Sequence, residues 1–409
     1  MKHLAERYGT PLYVYRLDDV RASVQALRRV LPEGVRLYYS VKANPHPTLV
    51  RELVGHGLGS EVSSTGELDV CLTGGQDPRH CLYTGPGKTP AEIHHALARG
   101  VRTFSVESPA DYHRLAQAVL ETDTEVDFLV RLNTGQAVAG HTGLRMSGAP
   151  TQFGMPPDDA RTLLRPSEST QRLRPVGVHV FPATNVFDTD ALLGEWELSL
   201  SVVAQLLRES GSRARLVDLG GGFAAPFAQP GVRPEYADLR KALTSLLDAY
   251  LPRWRQGEPE IMFESGRHLV ADCGTLLTRV LDVKQNGGAT YVVLDAGTNN
   301  LGGMSGLGRL LTPSVQPLPD SAVEESVVQR VGLVGPLCTP LDVLNRSLAI
   351  HVPEIGGVLA IPNVGAYGLT ASLVSFLSRP LPVEIVMEED GSVVDARQLS
   401  LRERKMEAE

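Results

Sequence analysis

VRLYYSVKANPHPTLVRELVGHGLGSEVSS, residues 35–64, reads as strand, helix and the start of a second strand. VRLYYSV (35–41) is rich in β-branched and aromatic residues, a strand composition. TLVRELVGHG then sets Leu49, Val50, Leu53 and Val54 on one helical face and stops at glycine. GSEVSS returns to strand. The same alternation continues through GELDVCLTGG, RHCLYT, AEIHHALARG, VRTFSV, PADYHRLAQAVL, EVDFLVRLN, DDARTLL, PVGVHVF, the run 190–210, ARLVDLG, 235–256 and PEIMFES. Repeating β-then-α units imply parallel strands with crossover helices. Their number fits a (β/α)8 TIM barrel, an α/β class, better than an open doubly wound sheet. After residue 268 the texture changes to short strand-like runs: LLTRVLDVKQ, TYVVLDAG, SVVQRVGLVG, GGVLAIP and PVEIVMEEDG. A second, all-β domain is expected there, ending in a charged tail, LRERKMEAE.

Composition agrees with an enzyme of two domains. The chain has 409 residues, 42% hydrophobic and 21% charged, with a formal net charge of −8. That balance offers no basic face, so no nucleic-acid partner is expected. The first residues lack the apolar core of a signal peptide, and no run is long enough to span a membrane. Cys71, Cys81, Cys273 and Cys338 show no metal-like spacing. They read as reduced thiols of a cytoplasmic protein, with no metal site.

Three places carry chemistry. Lys42 stands at the carboxyl end of the first barrel-type strand, the end of such a barrel where active sites form. A lysine there can form a Schiff base with an aldehyde when its surroundings keep it partly neutral; taken alone, it would be an ordinary solvated lysine. VDLGGGF (217–223) ends a strand in Gly220, Gly221 and Gly222, a turn whose N–H groups can approach a phosphate closely. MFESGRHLV (262–270) follows, with Glu264 at a strand end and Arg267 three residues on. A carboxylate and a guanidinium so placed could face a protonated ring nitrogen and a phosphate. They could equally be a surface ion pair.

Taken together, VKANP, EVSSTGEL, GVHVF, DLGGGF, ESGR, GPLC-x3-D and GAYG resemble, in this order, the fold-type III pyridoxal 5′-phosphate (PLP) decarboxylases. That family includes the diaminopimelate, ornithine and arginine decarboxylases. The resemblance covers roughly residues 8 to 388, nearly the whole chain. It implies a PLP-binding barrel over 27–263. It also implies a β domain of 1–26 plus 264–409, in which TPLYVYRL (10–17) supplies the first strand. Lys42 resembles the lysine that links the cofactor, with Glu61 as its acidic support. His179 resembles the histidine stacked on the ring and Glu264 the partner of the ring nitrogen. Gly220, Gly221, Gly222, Gly266 and Arg267, with Tyr367 of GAYG, resemble the phosphate site. Ser265 departs from the family's usual proline. Glu264 argues against alanine racemase, which places an arginine at the ring nitrogen.

GPLCTPLD (335–342) resembles the segment that reaches the partner subunit's active site in this family. The resemblance implies a homodimer with shared sites, Cys338 as the proton donor and Asp342 as an orienting group. A thiol's ordinary pKa, about 8.5, suits that role.

Substrate expectations follow from departures. Diaminopimelate decarboxylases carry Cys-Glu-Ser-Gly-Asp where this chain has Cys338-Thr339-Pro340-Leu341-Asp342, and free-amino-acid decarboxylases often have Lys-Phe-Gly where it has Thr151-Gln152-Phe153-Gly154. A pocket without those polar groups suits a free diamino acid poorly. TGPGKT (84–89), PTQFG (150–154), HVFPATN (179–185), GPLCTPLD and YGLTASLVSFLSRPLP (367–382) resemble decarboxylases acting on an aminoacyl group tethered to an acyl carrier protein, as in butirosin biosynthesis. The expected substrate is a glutamyl, aspartyl or methylaspartyl thioester of secondary metabolism. The alternatives are a free amino acid (diaminopimelate, ornithine or lysine) and a non-catalytic homologue. Lys88, Arg145 and Arg379 are candidates for docking an acidic carrier.

Overall fold

The computed structural model describes residues 1–134, 144–145, 151–165, 172–302, 314–319 and 328–403. It divides into two compact units, one of residues 21–225 and 233–269, the other of 1–20, 226–232 and 270–409. The boundary expected after residue 263 falls inside a strand, Glu260–Ser265. The barrel unit continues to Leu269, and 226–232 joins the other unit.

The first unit is a closed parallel barrel of eight strands. In order they are Arg36–Ser40, Gly59–Val62, Cys81–Tyr83, Thr103–Val106, Val126–Arg131, Leu173–His179, Leu216–Asp218 and Glu260–Ser265. The eighth closes on the first, with Glu264 opposite Tyr38. Alternate side chains point inward, and Tyr38, Leu82, Leu129, Val176, Leu216 and Met262 fill the interior. Gly59 makes room for this plug, since a Cβ there would lie 2.5 Å from the Tyr38 ring.

The helices between strands start where the sequence caps them. Ser64, Ser108 and Asp188 accept from backbone N–H groups at the starts of Thr65–Thr73, Pro109–Thr122 and Thr189–Ser210. Thr89 and Glu92 form a capping box at Pro90–Ala98. Thr189–Ser210 ends at Gly211, φ 68°, and buries Leu192, Trp196, Leu200 and Val203 along one stripe.

The second unit is an eight-stranded sheet. As expected, the N-terminal strand Leu12–Arg16 joins the C-terminal ones, antiparallel to Gly274–Asn286 and parallel to Val383–Met387. Two strands have no counterpart among the expected runs: Val343–His351 and Val393–Gln398. Both are sheet edges with few buried side chains, so their hydrophobic signal is weak. No helix among the described residues is long and apolar enough to cross a membrane.

Candidate active site

The carboxyl ends of the barrel strands converge on one set of polar side chains. Lys42 leaves the first strand in the 3-10 turn Val41–Ala43. Its Nζ lies 2.9 and 3.1 Å from the two oxygens of Glu61 on the second strand. Glu61 is 2% exposed and also accepts from Thr84 Oγ1 at 2.5 Å. Burial works to raise the Glu61 carboxyl, but Lys42, Thr84 and Ser40 outweigh it and hold it below its ordinary value. The Lys42 side chain stays 40% exposed, so its tip is both anchored and reachable. Nζ also stands 5.7 Å from the centre of the Phe181 ring.

His179, Asp218 and Glu264 end the sixth, seventh and eighth strands' inner row and are all buried. His179 Nε2 is 3.6 Å from Glu264 Oε1 and 3.9 Å from Asp218 Oδ2. Its Nδ1 is 2.8 Å from Ser105 Oγ on the fourth strand. Burial, then the positive charges of Arg131, Lys42 and Lys88, hold the imidazole well below its ordinary pKa. Burial, then the charges of Glu61 and Asp218, push Glu264 well above the carboxylate range. Burial pushes Asp218 up to about 7 against the pull of the Gly220 N–H. The arrangement is a neutral imidazole facing two carboxyls that favour holding protons.

The glycine turn follows the seventh strand, the position where such barrels bind phosphate. Gly220 has φ +65° and Gly222 +113°. A Cβ on Gly221 would lie 2.5 Å from the Glu264 carbonyl oxygen, while Glu264 N–H donates to Gly220 O at 2.8 Å. Only glycine allows so close an approach. Gly266 packs similarly on the Lys42 turn, with its Cβ position 2.8 Å from Ala43 Cβ. Arg267 opens the short helix Arg267–Val270 beside it.

Several residues here were not singled out in the sequence: Thr84, Ser105, Arg131 and Asp218. Arg131 and Asp218 end their strands, which was the available signal, whereas Ser105 lies within Thr103–Val106 and Thr84 just after Cys81–Tyr83. Arg131 donates to Glu107 at 2.7 Å, and Glu107 accepts from the Gly154 N–H at 3.1 Å, which ties the Gln152–Gly154 turn to the barrel. Lys88 requires a correction. It is 3% exposed, bonds Asp111 at 2.7 Å and donates to the carbonyls of Gly85 and Ser105, so it is buried and unavailable for docking. The Arg145 side chain lies outside the described residues. Arg379 is exposed and donates to Pro336 O.

Three expected site residues lie in the β unit. Tyr367 is half-buried at φ +55°. Cys338 is exposed. Asp342 is 4% exposed, and its carboxylate accepts from Thr298 and Leu337 of its own unit rather than standing open to a substrate.

The barrel site suits pyridoxal phosphate on its own chemistry. His179 Nε2, Asp218 Oδ2 and Glu264 Oε1 are buried and have no hydrogen-bond partner among the described residues. Glu264 offers a proton-holding partner for a ring nitrogen, the glycine turn an anion cradle, and Lys42 an amine for an aldehyde.

Comparison with known proteins gives the same reading. Residues 17–271 match the family described as "Pyridoxal-dependent decarboxylase, pyridoxal binding domain". The chain is 29% identical to "L-glutamyl-[BtrI acyl-carrier protein] decarboxylase" of Niallia circulans, over 95% of this chain and 91% of that one. It is 27% identical to a diaminopimelate decarboxylase of Aquifex aeolicus, over 96% and 90%. The crystal structure of diaminopimelate decarboxylase from Helicobacter pylori shares the fold with a TM-score of 0.82 at 23% identity, over 97% of this chain and 96% of that one.

Proposed function

The chain belongs to the pyridoxal-dependent decarboxylases, and from that premise we propose that it removes the α-carboxylate of an acidic aminoacyl group held on an acyl carrier protein. Glutamyl, aspartyl and methylaspartyl thioesters are the candidate substrates. The reaction class, a PLP-dependent carboxy-lyase, follows from the family. Bound pyridoxal phosphate supplies an electron sink for the pair left behind as carbon dioxide departs.

In this reading Lys42 holds the cofactor's aldehyde, and Glu61 keeps the amine aimed and charge-balanced. Glu264 faces the ring nitrogen and keeps it protonated. His179, neutral and fixed by Ser105, lies against the ring. Gly220, Gly221, Gly222 and Gly266, with Arg267, take the phosphate. Cys338 of a second copy of the chain returns a proton to the carbon that lost its carboxylate.

The observation that carries the carrier-bound reading is the stretch between Cys338 and Asp342. Thr339, Pro340 and Leu341 bear no charge, and Leu341 is 47% exposed. A free diamino acid needs a polar partner for its distal amine, whereas a neutral pantetheine arm does not. The Niallia circulans relative is named for such a carrier-bound substrate. The competing reading, a free diamino acid, draws on the diaminopimelate decarboxylases among the relatives.

The test presents purified holoenzyme with glutamyl-, aspartyl- and methylaspartyl-carrier proteins, and separately with free diaminopimelate, ornithine and lysine. Loss of one carbon dioxide from a carrier-bound species, read as a mass change on the carrier, is expected. Turnover of a free diamino acid with none of the carrier species would overturn the proposal.

A further inference from the structure

The loop 335–342 divides into an exposed tip and a buried anchor. Cys338 and Leu341 are exposed, whereas Asp342 is 4% exposed. Asp342 Oδ1 accepts from Thr298 N at 2.7 Å and Thr298 Oγ1 at 3.0 Å. Oδ2 accepts from Leu337 N at 2.8 Å, the residue just before Cys338. The backbone closes around the same group: Gly335 N donates to Asp342 O at 3.0 Å, and Asp342 N to Thr339 O at 3.2 Å. Gly297 and Gly335 flank the carboxylate. A Cβ on Gly297 would lie 2.5 Å from both carboxylate oxygens, and one on Gly335 would overlap the carboxylate. Three donors, two glycines and near-complete burial leave no open face for a ligand.

We propose that Asp342 is a positioning residue: it clamps the 335–342 loop to Thr298 so that the Cys338 thiol is presented in one place, and it does not touch the substrate. The proposal rests on Cys338 being the proton donor of the decarboxylation. Without the carboxylate, the Leu337 N–H loses its acceptor and the segment carrying Cys338 loses its fixed register.

The experiment is a double-mutant cycle on the holoenzyme with Asp342→Asn and Cys338→Ala. Asparagine keeps the size and one acceptor but turns an amide toward Leu337 N–H. Asp342→Asn alone is expected to lower kcat on the order of 10- to 100-fold, the effect of a misplaced group, with KM unchanged. In the Cys338→Ala background it is expected to cost nothing more, because it acts through Cys338. Losses that multiply, or a raised KM with kcat intact, would overturn the proposal. Hydrogen exchange on the wild-type protein tests the clamp directly and without catalysis. The Leu337 amide is expected to be protected, and fast exchange there would overturn the clamp even if Asp342→Asn does not fold. If Cys338→Ala alone leaves kcat unchanged, the proton-donor reading fails. The clamp then stands or falls on Leu337 protection and its loss in Asp342→Asn.

Discussion

Ser105 Oγ lies 2.8 Å from His179 Nδ1, while the other ring nitrogen faces Glu264 and Asp218. Nε2 is beyond hydrogen-bond distance of both carboxyls, so the serine hydroxyl is the group that can donate to the neutral ring, at Nδ1. Ser105→Ala removes that donor and frees the ring. The dissociation constant for pyridoxal phosphate, read by absorbance titration of the apoprotein, is expected to rise about 2- to 10-fold, the worth of one hydrogen bond. Ser105→Thr should restore it. Equal affinities in all three proteins would count against a positioning role.

Lys42→Ala should remove the visible absorbance of the lysine-linked cofactor and abolish turnover. Added primary amines are expected to restore part of the rate. A variant that keeps the wild-type spectrum would mean that another amine holds the aldehyde.

Glu264→Gln is expected to keep the cofactor but to lower kcat on the order of 10²- to 10⁴-fold, because the ring nitrogen loses the group that keeps it protonated. The measurement is single-turnover carbon dioxide release. A loss below tenfold would place the ring nitrogen elsewhere.

Asp218 makes apoprotein stability depend on pH. Its carboxyl titrates near 7 in the fold, against an ordinary value of 3.8. The folded state therefore holds a proton that the unfolded chain gives up, and stability falls as pH rises through that interval. His179 acts in the opposite sense, since its lowered pKa costs stability as pH falls below its ordinary 6.5. Glu264 and Glu67, whose carboxyls burial also raises, act in the same sense as Asp218, so a plain pH profile would mix all of these. The difference between Asp218→Asn and wild type reports the aspartate together with its effect on the neighbouring Glu264. The variant's relative stability is expected to grow from about pH 4 to 7 by on the order of 1–4 kcal/mol, then level off. Parallel urea-denaturation curves across that range would refute the assignment.

Gly221→Ala should weaken pyridoxal phosphate binding far more than binding of pyridoxal, which lacks the phosphate. The added methyl meets the Glu264 carbonyl at 2.5 Å, an overpacking cost of about 1–3 kcal/mol. Equal losses for both ligands would remove the turn from the phosphate site.

Much of this was legible because it is local. The strand, lysine and helix of residues 35–57 announce themselves through composition and periodicity, and three successive glycines mark their turn. What escaped reading depends on distance. Ser105 looks like any strand residue in TFSV, and its partner His179 is 74 positions away. Lys88 looks like a surface lysine because most lysines are, and its burial is explained only by Asp111 on the helix Pro109–Thr122 together with the Gly85 and Ser105 carbonyls. The strands Val343–His351 and Val393–Gln398 are defined by a neighbour on one side alone, so their side chains carry little core signal. Asp342 matched its motif, yet its carboxylate turns inward to Thr298, a partner set by tertiary folding.

The contact between the glycine turn and the eighth strand also works as a caliper. Glu264 and Gly220 share a backbone hydrogen bond, so the jaw meant for the ring and the jaw meant for the phosphate belong to one rigid piece. A span fixed in this way measures its occupant. Cofactor analogues whose phosphate arm is lengthened by a single methylene should be refused even where every individual contact could still form.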